Sequence, residues 1–382
     1  MPAPKLYTPR LLLILFLQFI FGLGYSSFLL LPKYLAEAHG ADATSIGRVA
    51  AAGPIAAVFI VPLQAAYIDR FRRHRLMLVS AIVLALAALG FTRLHELGWV
   101  VYALRLMQGA AFASFMATAV TLVAEITPAE RMGQAIGLSG AANLVTNAIG
   151  PGLAEPIAAR WGWHTVFLLS AIAAALAALG TLALGDARVA RSRSGSRAWL
   201  VQPRRLALLH SALVAGLGFG VVITFYQPFA LALGIGEVRA LFIGYTLAAL
   251  GVRVLCGAWL DRIERRLLVL IAASVYPLVV FATAGLRPGW LFPLGAALGL
   301  AQGTLYPVVS ALLFEQSEPE ARGALMTYFS GCFNLGFVLA TVGLGALASQ
   351  LGYRALFIVA SVLTATAVPV LATALGKAPG TA

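Results

Sequence analysis

The chain reads as a succession of apolar blocks, near 11–32, 45–67, 76–92, 98–124, 132–154, 163–185, 206–233, 238–260, 267–285, 290–314, 323–349 and 355–375, separated by short polar connections. A helix crosses hydrocarbon with ~20 apolar residues, so each block is long enough for one crossing. Strands are excluded by length, because the blocks far exceed the ~10 residues of a barrel strand, and a lone strand leaves its backbone unbonded in lipid. The pattern therefore predicts an all-α membrane protein with twelve transmembrane helices. The first block is too long for a signal-peptide core and no small-residue cleavage pattern follows it, so it is expected to be a retained span.

Composition agrees. Of 382 residues, 61% are apolar and 11% charged, against about a quarter charged in a soluble globular chain. The formal net charge of +13 would suggest nucleic acid in a soluble protein, but the basic residues fall between apolar blocks, where they orient the spans. With a cytoplasmic N-terminus, 18 of the 27 basic residues lie inside and 7 outside, while Arg105 and Arg253 fall within spans. A multi-pass protein of the bacterial inner membrane with both termini cytoplasmic is expected, its partners the bilayer and a small molecule, without nucleic acid, and its state monomeric. Cys256 and Cys332 are isolated in apolar stretches and form neither a disulfide framework nor a metal pair. The five histidines, His39, His74, His95, His164 and His210, have no partner at metal spacing.

The chain also repeats itself. Ala65 to Arg73 after the second block matches Gly257 to Arg265 after the eighth; Glu125, Pro128 and Arg131 match Glu315, Pro319 and Arg322; Gly162 to Phe167 matches Gly352 to Phe357. Two parallel six-span halves predict a transporter with its site between them. The expected halves are 1–185 and 204–382, joined by a basic cytoplasmic linker over 186–203.

These residues resemble the major facilitator superfamily over essentially the whole chain. Its loop motif G-x-x-x-D-R-x-G-R-R is similar to Gly257, Asp261, Arg262, Arg265 and Arg266, with Glu264 at the second glycine; the first copy keeps Asp69, Arg70 and Arg73, with Ala65 and Arg72 at the glycines. Arg105, Gln108 and Gly109 resemble its R-x-x-Q-G motif. Gly137 and Gly150-Pro151 resemble the antiporter motif of the fifth span, with Thr146 and Ala154 replacing two glycines. The run from Gly218 to Phe225, Arg253 and Tyr306-Pro307 are similar to bacterial permeases of the sugar and drug efflux type. The resemblance implies a secondary transporter moving a small organic solute by alternating access, outward, with proton antiport as one coupling; an organic-anion importer or uniporter on the same fold is the alternative. Paired acidic metal ligands, a nucleophile with a base and an ATP-binding loop are not found, so neither an enzyme nor an ATP-driven pump is expected. No cofactor is expected.

Two groups of residues carry the functional expectations. Asp69 and Asp261, beside Arg70, Arg73, Arg262 and Arg265, would latch the cytoplasmic side and break on opening; the alternative is a loop charge pair of little weight. Glu125 with Arg131 and Glu315 with Arg322 accompany them, and Gly150 with Pro151 supplies close packing and bending. The resemblance implies that spans one, four, seven and ten face a central cavity. The candidate substrate residues are Gln18 and Tyr25 on span one, Arg105, Gln108 and Phe112 on span four, Tyr226 and Gln227 on span seven, Arg253 on span eight, Gln302 and Tyr306 on span ten, and Asn334 on span eleven. A buried ionisable group is costly and marks function, though either arginine could instead be a structural donor, and each polar residue could equally join helices. All fourteen carboxylates lie in loops or near span ends. A mid-membrane carboxylate relay is therefore not expected, and any proton path would run through Glu125, Glu155 or Glu315. Arginines without acids favour a neutral or anionic solute over a cation.

Overall fold

The computed structural model describes residues 7–67, 72–128, 131–185, 202–254, 263–315 and 322–376; within helices, the side chains of 64–67, 254, 314 and 322–324 are not described. The expected linker lies outside the described residues apart from Gln202 and Pro203, and so do Asp69, Arg70, Asp261 and Arg262.

The apolar blocks fold as helices, and no strand occurs among the described residues. α1 (Pro9–Ser26) starts on Thr8, whose hydroxyl accepts from the Leu11 N–H, with Pro9 at the first position where a missing N–H is harmless. A short 3₁₀ turn (Ser27–Leu30) leads into α2 (Leu31–His39). There follow α3 (Ala43–Tyr67), α4 (Arg73–Phe91), α5 (Trp99–Ile126), α6 (Met132–Thr181), α7 (Pro203–Ala232), α8 (Arg239–Val254), α9 (Arg265–Thr283), α10 (Leu291–Glu315), α11 (Arg322–Leu339), a π-helical turn (Ala340–Leu344), α12 (Gly345–Ala365) and α13 (Ala367–Gly376). Large apolar side chains such as Phe16, Phe59, Leu179, Leu278 and Val362 are exposed, as expected where hydrocarbon is the solvent.

Among the described residues nine helices are long and apolar enough to cross a membrane. Two of them, Met132–Leu184 with 53 residues and Leu325–Gly376 with 52, are more than twice the ~20 residues of one crossing. Each is interrupted at a glycine of positive φ: Gly162 at φ 81° and ψ 163°, Gly352 at φ 83° and ψ 166°. A side chain is strained in that conformation, which is why glycine stands there. These are the two glycines that the sequence repeat aligns, so the repeat extends to the backbone break.

The chain divides into two compact units. The first comprises Met1–Tyr34 and Ile55–Arg191, the second Leu35–Pro54 and Ser192–Ala382. α2, apart from its first turn, and the first half of α3 thus group with the second unit. In the first unit α1 packs on α6, with Gly22 against Thr146 and Gly150 against Ser26. α4 packs on α5, with Gly90 against Leu104. Their core includes Leu17, Phe21, Met77, Leu84, Phe115 and Leu122. In the second unit α8 packs on α10 through Gly244, Gly295 and Gly299, and α7 on α11 through Gly216 and Gly336, each glycine meeting a backbone carbonyl. Small residues allow this close approach where no hydrophobic force joins helices. Gly137, which belongs to the same motif resemblance as Gly150, has open space instead.

Within the second unit the start of α3 is stapled to α12. The Thr44 N–H donates to Ser349 Oγ at 3.0 Å, and the Thr44 and Ser349 hydroxyls are 2.8 Å apart. Ser349 donates to Asp42 Oδ2 at 3.1 Å, and the Ser45 N–H donates to Asp42 Oδ1 at 3.0 Å. Chiefly the Ser45 hydroxyl, with further bonds from the Ser45 backbone, Ser349 and Thr44, holds the Asp42 carboxyl at about 2, below its ordinary 3.8. A lowered folded value stabilises fully above the unfolded pKa and is lost as pH falls through the folded one. Asp42→Asn should therefore lower the melting temperature equally at pH 8 and pH 5, with the difference from the parent disappearing towards pH 2. A penalty that grew between pH 5 and pH 8 would contradict this assignment.

Candidate functional site

In the first unit the predicted residues of spans one and four come together. Arg105 is 8% exposed. Its Nη1 donates to Gln108 Oε1 at 2.8 Å, and its charge bears on the Tyr25 hydroxyl. The Tyr25 ring stacks on Phe112 with centroids 4.0 Å apart. This joins α1 to α5 around one cation, and the spacing of Arg105, Gln108 and Phe112 at i, i+3 and i+7 puts all three on one helix face. Arg105 Nε and Gln108 Nε2 are buried with no hydrogen-bond partner. Buried donors left bare are costly, so they mark where a ligand or water would bond. Gln18 belongs to a separate contact, where its Oε1 accepts from Ser139 of α6 at 2.9 Å and its Nε2 lies 3.9 Å from Met116 Sδ.

The second unit treats its predicted residues differently. Tyr226 and Gln227 are fully buried. The Tyr226 hydroxyl donates to the Val238 carbonyl at 3.0 Å, and Gln227 Nε2 donates to the Ile223 carbonyl one turn back. Asn334 Nδ2 likewise donates to Ser330 within its own helix. Arg253, expected to be buried by its depth in the span, is exposed. Its charge acts on the hydroxyls of Tyr245 and Tyr306. Around them lie Phe219, 5.7 Å from the Tyr245 ring, Phe333, 5.9 Å from both Phe219 and Tyr306, and Phe329, 4.6 Å from Tyr306. Gln302 sits one turn before Tyr306 and is 7% exposed, its Oε1 without a partner. Sequence reasoning had Arg253, Gln302 and Tyr306 but not the aromatic residues; Phe329 and Phe333, four apart, were the available signal.

At the helix ends expected from the sequence to be cytoplasmic, Arg73 is 2% exposed, and its Nε and Nη2 lie 3.3 and 3.1 Å from Glu125 Oε1. Arg265 pairs with Glu315 at the equivalent place in the second unit, with both side chains about half exposed. Arg131, expected to act with Glu125, donates instead to Gln134 at 3.3 Å. The Arg322 side chain lies outside the described residues. Gly150 lies against Ser26, with Pro151 following inside α6, before its break at Gly162.

Sequence reasoning also missed a buried ion pair in the first unit. Lys33 Nζ lies 2.6 Å from Glu155 Oε1, the two side chains 9% and 5% exposed.

The Major Facilitator Superfamily model matches the chain over residues 14–286 and 208–381. The chain belongs to the major facilitator superfamily. This transporter is 24% identical over 348 residues to the multi-drug resistance efflux pump PmrA of Streptococcus pneumoniae, covering 84% of this chain and 83% of that one. It is 23% identical over 351 residues to the staphylopine export protein of Staphylococcus aureus, covering 85% of each. In structure it is similar to nucleoside transporter NupG, with a TM-score of 0.74 over 97% of this chain and all of that one, at 15% identity. That last likeness concerns the fold alone.

Proposed function

We propose that this superfamily member is a secondary active transporter that moves a neutral or anionic small organic solute out of the bacterial cell by alternating access. Both termini are cytoplasmic, and the functional unit is the monomer. The observation that carries the reading is an arginine whose charge bears on tyrosine hydroxyls in each unit: in the first, Arg105 on Tyr25, whose ring stacks on Phe112; in the second, Arg253 on Tyr245 and Tyr306. No carboxylate pairs with either among the described residues. A cation of fixed charge would meet repulsion there, whereas an anion or a polyhydroxylated neutral solute would meet donors. The outward direction is supported by the export named in both curated relatives.

The test is flux in proteoliposomes of known orientation, with an imposed pH gradient of either sign. Outward movement that accelerates with inward proton flow supports proton-coupled export. Flux only in the opposite sense replaces export by import on the same fold. Arg105→Gln should lower kcat/KM by at least about tenfold, since it removes a hydrogen bond from a buried charged donor. Full activity in that variant would remove Arg105 from the site.

A further inference from the structure

Arg253, Tyr245 and Tyr306 are held together by the way α8 and α10 cross. Gly299 meets the Tyr245 carbonyl and Gly303 meets Ala249, so the two helices touch at intervals of four residues. One turn beyond Ala249 on α8 is Arg253. On α10, Tyr306 stands three residues beyond Gly303 and Gln302 immediately before it. Periodicity alone thus brings the arginine to the level of Tyr306, with Gln302 one turn, or about 6 Å, further along.

Each component asks for a different part of a ligand. Arg253 has no carboxylate partner among the described residues and presents a planar fork suited to a carboxylate. The rings of Phe219, Tyr245, Tyr306, Phe329 and Phe333 form one connected aromatic group, which accepts a flat π-system in edge or offset contact. Gln302 Oε1 and the Thr246 hydroxyl are buried without a partner. Thr246 lies seven residues before Arg253, on the same helix face. An amide oxygen bare in such surroundings is unfavourable until a donor reaches it.

We propose that this cluster recognises aromatic acids that carry a hydroxyl or N–H donor remote from the acid group, with the acid on Arg253, the ring among the aromatic side chains and the donor on Gln302. This rests on the transporter reading above and specifies its substrate class. It places recognition of the acid in the second unit and assigns roles to Tyr245, Phe219, Phe329 and Phe333.

The experiment is calorimetric titration of the purified full-length transporter in detergent with 4-hydroxybenzoate, benzoate, cyclohexanecarboxylate, 4-hydroxybenzyl alcohol and tetraphenylphosphonium. 4-Hydroxybenzoate should bind tightest, benzoate more weakly because Gln302 stays bare, and cyclohexanecarboxylate more weakly again. Arg253→Gln should weaken both aromatic acids by at least about tenfold and leave the alcohol unchanged. Should that variant fail to fold, Arg253→Lys, which keeps the charge but not the fork, should weaken the acids alone. Gln302→Leu should erase the difference between 4-hydroxybenzoate and benzoate. Binding of tetraphenylphosphonium as tight as that of the acids overturns the proposal, and so does acid binding that ignores Arg253. If none of the acids binds while the proteoliposomes move another solute, the substrate class is wrong and the transporter reading stands. If no solute moves at all yet the acids bind as ranked, it is the transporter reading that fails.

Discussion

Removing either member of the Lys33–Glu155 pair alone should destabilise the first unit by about 3–5 kcal/mol, the usual cost of removing one partner of a buried ion pair. Both side chains are more than nine-tenths buried, and the contact is a short charge-assisted hydrogen bond of 2.6 Å. Lys33 lies in the first turn of α2, which continues from α1 through the 3₁₀ turn, so the packing of α1 on α6 limits the entry of water. α1 is pressed on α6 where Gly150 meets Ser26 and where Gly22 would place a methyl 2.9 Å from Thr146. Immediately after Lys33, the Tyr34 ring makes edge contacts with Trp163 and Phe167 of α6 at 5.4 and 4.9 Å. An ammonium or carboxylate that loses its ion-pair partner in that setting is driven towards neutralisation or exposure, and exposure means separating these packed faces. The double replacement Lys33→Met with Glu155→Met is expected to recover most of the loss, because paired apolar side chains of similar volume carry no desolvation cost. Thermal unfolding of the detergent-solubilised protein measures all three. If Lys33→Met melts like the parent, the pair is solvated and its apparent burial has no energetic weight.

This pair also shows where the sequence stops being sufficient. Lys33 and Glu155 each border an apolar block, and linear position assigns them to an outer loop and a span end. Burial depends on what passes alongside, and nothing local to Lys33 states that α6 does. Arg253 errs in the opposite sense: its depth along a span suggested burial, yet it is exposed although it continues the α8 face, Tyr245 and Ala249, that meets the glycines of α10, because cover at that level depends on neighbouring helices that the span itself does not state. The aromatic group around it was hidden because a phenylalanine facing a ligand and one facing lipid look alike in an apolar run. What recurs was legible, since a repeat carries tertiary information within the sequence. The aligned glycines Gly162 and Gly352 adopt the same backbone conformation, and the aligned arginines Arg73 and Arg265 both find the glutamate that closes the following helix pair, Glu125 and Glu315. The glutamates had been aligned with each other and the arginines with each other, but nothing in the alignment joined one set to the other.

The second large effect is expected at Gly336, where substitution should fail at the level of assembly. α7 and α11 approach so closely that a Cβ on Gly336 would lie inside the van der Waals radius of the Leu213 carbonyl oxygen, and a Cβ on Gly216 would do the same to the Phe333 carbonyl. Both neighbours are backbone, so no rotamer change relieves the clash; the helices must separate along their contact. That separation would reach Phe333, whose ring belongs to the Arg253 cluster. Gly336→Val should therefore cost at or beyond the top of the ~1–3 kcal/mol typical of overpacking and should remove ligand binding at the same time. Gly331 provides the control on the same helix, because a Cβ there meets nothing within 4 Å. Gly331→Ala should be neutral or stabilising by up to about 1 kcal/mol, as expected where glycine only costs helix entropy. Comparing the monodisperse yield and melting temperature of the two variants separates a general intolerance of this helix from the specific contact. Equal tolerance at both positions would mean that α7 and α11 do not approach at Gly336, and the aromatic site would lose the packing that holds Phe333 in place.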